Sequence, residues 1–151
     1  MVVKPRIRGF ICTTAHPLGC ARHVQEQVDY VQDNSGLDQG DFKNVLVLGC
    51  SGGYGLASRI VAGFGAGAST LGVSLEKEPT DGKTASAGWY NNLAFEKQAE
   101  KEGLYARTIN ADAFSDETRQ QVVETIKQDL GQIDLVVYSL CLLYTSDAAD
   151  E

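Results

Sequence analysis

Apolar residues along this chain fall into short clusters, continuous in one place and alternating in another, separated by segments in which they recur every three to four positions. Val45 to Leu48 is a continuous apolar run that ends at Gly49, as a buried parallel strand does. Ser69–Leu75, Tyr105–Ile109 and Ile133–Tyr138 read as further strands, and Ile7–Thr13 as a short β-prone one near the start. Between them lie helical patterns. Val24–Asp33 places Val24, Val28 and Val31 on one side. Leu56–Phe64 follows the glycine cluster, and Trp89–Glu102 is amphipathic with Gly103 as its stop. A further helix opens at Ser115, with Val122, Val123, Ile126 and Leu130 on one face. Ser115 is placed to cap it, and Asp116 and Glu117 sit in the first turn, where the helix dipole favours acids. The stretches 34–43 and 76–87 are polar and loop-like.

Strands alternating with helices predict an α/β protein. The expected architecture is a doubly wound, Rossmann-like parallel sheet with right-handed crossovers, reaching about its fourth core strand within this chain. No internal repeat competes with that architecture.

Composition narrows the partners. The 151 residues suffice for one domain with a core, and 43% hydrophobic with 22% charged residues is ordinary for a globular protein. A net charge of -7 argues against nucleic acid, whose phosphates need a basic face. No apolar run approaches the roughly 20 residues of a membrane span. Lys4, Arg6, Arg8 and Arg22 stand in an acid-free opening segment that weakly suggests a transit peptide. Pro5, Pro17 and Gly19 interrupt any amphipathic helix there, which favours an ordinary N-terminal strand and loop in a cytoplasmic protein. Cys12, His16, Cys20 and His23 would share a face of a continuous helix and could hold zinc. Pro17 and Gly19 break that helix, so buried, inert thiols are expected and no metal.

The chemistry concentrates at Gly49-Cys50-Ser51-Gly52-Gly53-Tyr54-Gly55, a G-x-x-x-G-x-G loop that follows a strand and opens a helix. In that context glycines allow a tight turn and close approach to a pyrophosphate, which meets the N–H groups and positive dipole end of the helix. A Walker loop is the competing pattern, but no Lys-Ser or Lys-Thr follows. Glu76 lies 21 positions after Gly55, at the end of the second core strand. A carboxylate there can accept hydrogen bonds from ribose hydroxyls and would repel a 2′-phosphate, which favours NADH over NADPH, with Lys77 weakening that preference. A plain solvated strand end is the alternative. Asp112 and Ala113 follow the third strand, where Asp112 could bond an adenine amino group or serve only as a helix-start acid.

Several long motifs carry a more specific signal. Lys4-Pro-Arg-Ile-Arg-Gly-Phe-Ile-Cys-Thr-Thr-Ala-His-Pro-Leu-Gly-Cys20 resembles the opening of the trans-2-enoyl-CoA reductases, the V-type enoyl-acyl-carrier-protein reductases. The loop Gly49–Gly55, Ala85-Ser-Ala-Gly-Trp-Tyr-Asn-Asn92, Asn110-Ala-Asp-Ala-Phe-Ser-Asp116 and Asp134-Leu-Val-Val-Tyr-Ser-Leu140 also look like that family. The resemblance implies NADH-dependent reduction of the 2,3 double bond of enoyl thioesters, carried by coenzyme A or acyl carrier protein. It places NADH contacts at Gly49, Cys50, Ser51, Gly52, Gly53 and Tyr54, at Leu75 and Glu76, at Asp112 and Ala113, and at Leu140. The family's catalytic Tyr-x8-Lys pair is expected beyond this chain, so no catalytic residue is assigned within it. Tyr138 and Tyr144 do not substitute for that tyrosine.

The resemblance runs over residues 1–140, read as the NAD(H)-binding part. Residues 141–151, Cys-Leu-Leu-Tyr-Thr-Ser-Asp-Ala-Ala-Asp-Glu, resemble the translation of a transposase sequencing adapter and are expected to be a non-native tail. Two competing functions are a stand-alone NAD(H)-binding module without catalysis and a short-chain ketone reductase. The block Lys4–Cys20 speaks against the second, since that class usually opens almost at its glycine loop. An uncovered edge at the fourth strand predicts that the chain by itself expresses poorly or aggregates.

Overall fold

The computed structural model describes residues 3–9, 11–12 (backbone only), 14–38, 40 and 42–140. In chain order the elements are β1 (Ile7–Arg8), β2 (Ile11–Cys12), α1 (Pro17–Asn34), β3 (Asn44–Leu48), α2 (Gly53–Ile60), β4 (Ser69–Ser74), α3 (Ala87–Lys101), β5 (Ala106–Asn110), α4 (Asp116–Thr125) and β6 (Leu135–Tyr138). α2 and α4 each run on into a π-helical turn, Val61–Gly65 and Ile126–Leu130.

Four strands form a parallel sheet in the order β5-β4-β3-β6. The chain starts at the inner strand β3, steps outward through β4 to β5, then returns to the other side of β3 for β6. That reversal is the switch point of a doubly wound sheet, and ligands bind outside the carboxyl ends of the strands there. The expected fold class is therefore the observed one.

Helices cover both faces. Val24 and Val28 of α1 meet Leu56 and Ile60 of α2 and Ala94, Phe95 and Ala99 of α3. Phe64 packs edge-to-face on Phe95, with ring centroids 5.6 Å apart. Beneath them Val45 and Val47 pack with Cys50, Ala62 and Ala68. On the opposite face Leu46, Leu71, Val73 and Ile109 bury against Val122 of α4. Fully burying each such aliphatic side chain contributes about 1.5–3 kcal/mol. Among the described residues no helix is long and apolar enough to cross a membrane.

Two expectations need correction. Ile7–Thr13 is not one strand: Gly9, at φ +61°, reverses the chain, and β1 and β2 pair antiparallel in a separate hairpin. α1 begins at Pro17, not at Val24. A proline at the first helical position loses no hydrogen bond, because that N–H would be unpaired anyway, and the His16 Nδ1 accepts from the Gly19 N–H at 3.3 Å. Pro17 therefore opens the helix that it was expected to break. Cys20 rides on α1 only half-buried, its thiol pushed up by that burial. The Cys12 side chain lies outside the described residues.

Candidate functional site

The glycine loop sits at the switch point, and its glycines are there for different reasons. Gly49 leaves β3 at φ +86°, with its N–H donating to the Val73 carbonyl at 2.8 Å. A Cβ on it would press into the backbone of Ser139, which follows β6. A Cβ on Gly55 would run into the Gly49 carbonyl. These two positions let α2 and the end of β6 close on the turn. Gly52 differs: its backbone is extended, at φ -165°, and a Cβ there would meet nothing within 4 Å. The protein's own packing does not require that space to be empty. No side chain caps α2, so its first-turn N–H groups have no partner from a cap. The turn thus offers free donors and open room together, as an anionic group requires.

The side chains on the loop diverge. Tyr54 is 89% exposed. Cys50 is fully buried beneath the loop, its side chain between the Asn92 Oδ1 at 3.5 Å and the Arg59 Nη1 at 3.7 Å and its N–H on the Val73 carbonyl at 3.3 Å. Burial pushes its thiol up, and the Arg59 charge opposes that shift.

Arg59 of α2 is itself fully buried. Its guanidinium donates to Thr70 Oγ1 at 3.2 Å, Thr108 Oγ1 at 2.8 Å and the Arg107 carbonyl at 2.8 Å, and stacks 4.4 Å from the Phe95 ring centroid. Desolvation lowers its pKa. It has no ion pair among the described residues, and its hydrogen bonds join α2 to β4 and β5 under the loop. Gly72 makes room for it, since a Cβ there would stand 2.5 Å from the Cys50 Sγ and 2.7 Å from Nη1.

Glu76 stands two residues past β4, after the exposed Leu75. Its backbone is held twice by Asn110: the Glu76 N–H donates to Oδ1 at 2.8 Å, and Nδ2 donates to the Glu76 carbonyl at 3.0 Å. Its carboxylate accepts from the Ser51 hydroxyl at Oε1, 2.5 Å away, and from the Ser86 hydroxyl at Oε2. Glu76 is therefore not a loosely solvated strand end. A Cβ on Gly88, at the start of α3, would collide with this carboxylate and stand 2.7 Å from the Ser51 Cβ. Asn91 Nδ2 donates to the Ser51 carbonyl at 2.9 Å, which ties α3 to the loop from the other side.

Asp112 Oδ1 accepts the Phe114 N–H at 2.9 Å, in a turn that leads into α4. Ser115 caps that helix as expected, accepting the Thr118 N–H at 3.1 Å. Ala113 is half-buried against the α4-side core. Leu140 is half-buried after Ser139, whose N–H extends the pairing to the Leu48 carbonyl at 2.8 Å. The loop, Glu76, Asp112 and Leu140 thus all follow carboxyl ends of parallel strands, along one rim of the sheet. Ser86, Gly88, Asn91, Asn92 and Asn110 were not picked out individually from the sequence. The run of small and amide residues in 85–92 was the available signal.

This geometry agrees with what the chain is similar to. The profile of the NAD(P)H binding domain of trans-2-enoyl-CoA reductase matches residues 2–81, and that of the trans-2-enoyl-CoA reductase catalytic region matches residues 83–148. The chain belongs to the trans-2-enoyl-CoA reductase family. An enoyl-[acyl-carrier-protein] reductase [NADH] of Pseudomonas fluorescens (strain SBW25) is 64% identical over 140 residues, which are 93% of this chain and 35% of that protein. Its counterpart in Pseudoalteromonas atlantica is 61% identical over the same extent. The trans-2-enoyl-CoA reductase of Clostridium acetobutulicum, solved in complex with NADH, superposes with a TM-score of 0.88 at 44% identity. It is covered to 35%, against 93% of this chain. That of Treponema denticola, in complex with NAD, gives 0.86 at 51% identity, with 93% of this chain and 36% of that one covered. The chain thus spans about a third of the length of the reductases it matches.

Proposed function

We propose that the chain is the N-terminal, NADH-binding part of an enzyme that reduces the 2,3 double bond of trans-2-enoyl thioesters, of coenzyme A or acyl carrier protein, in fatty acid synthesis. One observation carries the reading: an open glycine turn before an uncapped helix shares its rim with a carboxylate held at the end of the neighbouring strand. Those are the two features that a dinucleotide needs, donors for its pyrophosphate and an acceptor for its adenosine ribose. The names of the relatives, and the NADH and NAD in the solved complexes, support the same cofactor.

In this reading the turn Gly49, Cys50, Ser51, Gly52, Gly53 and Tyr54 contacts NADH, with the uncapped N–H groups at the start of α2 facing the pyrophosphate, and Leu75 and Glu76 flank the ribose. Asp112 and Ala113 border the adenine, and Leu140 lies toward the nicotinamide side. When bound, NADH supplies the hydride. The chain's own residues bind and orient it, and Glu76 disfavours a 2′-phosphate. Proton donation to the developing enolate needs a positioned acid, and no tyrosine of this sequence has a lysine at the x8 spacing. Reduction is therefore assigned to the longer protein, and residues 141–151 receive no role. The similarity to the relatives covers 140 residues, while the catalytic-region profile runs on to residue 148.

The test is to resequence the gene across codon 141, then to assay its product for NADH oxidation with crotonyl-CoA. A frame that continues to a Tyr-x8-Lys pair, with turnover, upholds the reading. A gene that stops after Glu151, or a longer product that binds NADH without turnover, would leave only a binding module.

A further inference from the structure

We infer that Ser86, with Gly88 beside it, is a positioning residue for cofactor choice: it sets where the Glu76 carboxylate stands, and so governs discrimination between NADH and NADPH. This rests on the reading of the rim as an NADH site.

A glutamate at a strand end has three side-chain torsions and loses rotamer entropy when it is ordered, so it stays in one place only where something holds it. Here both oxygens are held. Ser51 donates to Oε1 and Ser86 to Oε2, while Asn110 clamps the backbone on both sides. The Ser86 hydroxyl accepts the Lys77 N–H at 3.1 Å, and its single proton goes to the carboxylate, a nearer and charged acceptor than the Lys77 carbonyl 3.3 Å away. Gly88 supplies the space in which Oε1 stands. Each carboxylate oxygen keeps acceptor capacity for a ribose hydroxyl.

A carboxylate fixed in this way cannot swing aside when a 2′-phosphate arrives, and the repulsion is felt in full. Released from Ser86, it can turn to solvent and tolerate the phosphate. Ser51 is part of the glycine turn, so changing it would disturb the phosphate site as well. Ser86 lies outside that turn, and changing it isolates the carboxylate.

The test titrates the whole product of the gene, whether it ends at Glu151 or runs on, with NADH and with NADPH, following nicotinamide fluorescence. The readout is the ratio of the two dissociation constants. Ser86→Ala is expected to lower the preference for NADH about five- to tenfold, the size of one ordinary net hydrogen bond. Ser86→Thr, which keeps the hydroxyl, should restore most of it. Gly88→Ala should shift the ratio the same way, although alanine is the better helix former. In a Glu76→Gln background Ser86→Ala should have little further effect. An unchanged ratio in both Ser86→Ala and Gly88→Ala overturns the inference, as does an undiminished Ser86→Ala effect without the carboxylate. If Ser86→Ala does not fold, Gly88→Ala decides alone. Loss of the inference with an intact wild-type preference for NADH leaves the functional reading standing, whereas a wild type that binds neither nucleotide removes both.

Discussion

Strands β4 and β6 flank the same central strand and have opposite fates. β4 reads Ser-Thr-Leu-Gly-Val-Ser, two-thirds of it polar or glycine, yet Leu71 and Val73 are fully buried. β6 reads Leu-Val-Val-Tyr, yet Leu135, Val136 and Tyr138 are 38%, 55% and 61% exposed. The difference is one of neighbours. β4 lies between β3 and β5 with core on both faces, whereas among the described residues β6 pairs with β3 alone. Only its Val137 joins the cluster around Val45 and Val47. Apolar composition thus marks a segment as a strand, and the topology decides whether that strand is buried. An apolar strand whose outer edge is unpaired among the described residues is the kind of edge on which the expectation of association rests.

The largest expected effect breaks the comparison where its two halves meet. Gly55→Ala drives a Cβ into the Gly49 carbonyl beside Ser139, backbone against backbone. It should cost about 4 kcal/mol in denaturant unfolding, or prevent folding, as severe core clashes do. A cost below about 1 kcal/mol would mean that α2 and the end of β6 do not close on the turn. Next, Arg59→Met leaves Thr70, Thr108 and the Arg107 carbonyl without their donor on the β4 side. About 3 kcal/mol should be lost, the usual cost of breaking a buried charged network. Retained stability would show that the apolar volume of the side chain, not its donors, holds β4 and β5.

A paired measurement sharpens the contrast directly. Val73→Ala should cost about 2 kcal/mol and Val136→Ala under about 0.5 kcal/mol. Equal costs would mean that β6 is covered in solution by something beyond the described residues.

The smallest effects are pH-dependent. Asp134, just before β6, accepts the Asn44 and Lys43 N–H groups, each at 2.9 Å, and these hold its carboxyl below the usual range. Its contribution is present above the ordinary carboxylate pKa, near 4, and is lost as pH falls through the depressed native value. Asp134→Asn should therefore flatten the acid limb of a stability profile. On the β5 side, burial and then a hydrogen bond to Asp129 push Tyr105 up to about 12. Stability from that group is full below the ordinary tyrosine pKa, about 10, and is lost as pH rises through the native value. Tyr105→Phe should remove that alkaline loss, and a profile indifferent to the change would refute it.

Much of this architecture was legible before the fold. Period and run length marked all four core strands and the helices between them: the central strand by its unbroken apolar run, and the others by short β-prone stretches between helical patterns. The glycine loop was legible too, because its spacing after a strand and before a helix is itself a backbone requirement. Boundaries were less so. α1 was expected seven residues late because Pro17 can either break or begin a helix, and a linear reading cannot weigh the cap that His16 provides.

By itself, then, the sequence determined the order of elements, the phosphate-type turn and the presence of an acid at Glu76. These depend on local periodicity and backbone freedom. Only the tertiary structure decided that Cys50 turns inward onto Arg59, that one oxygen of Asp112 holds its own turn, and that Ser51, Ser86 and Gly88 converge on one carboxylate. Those groups are brought together from the switch-point loop and the start of α3, and a contact across such sequence distances exists only once the sheet has formed and its strand order has set which ends are neighbours.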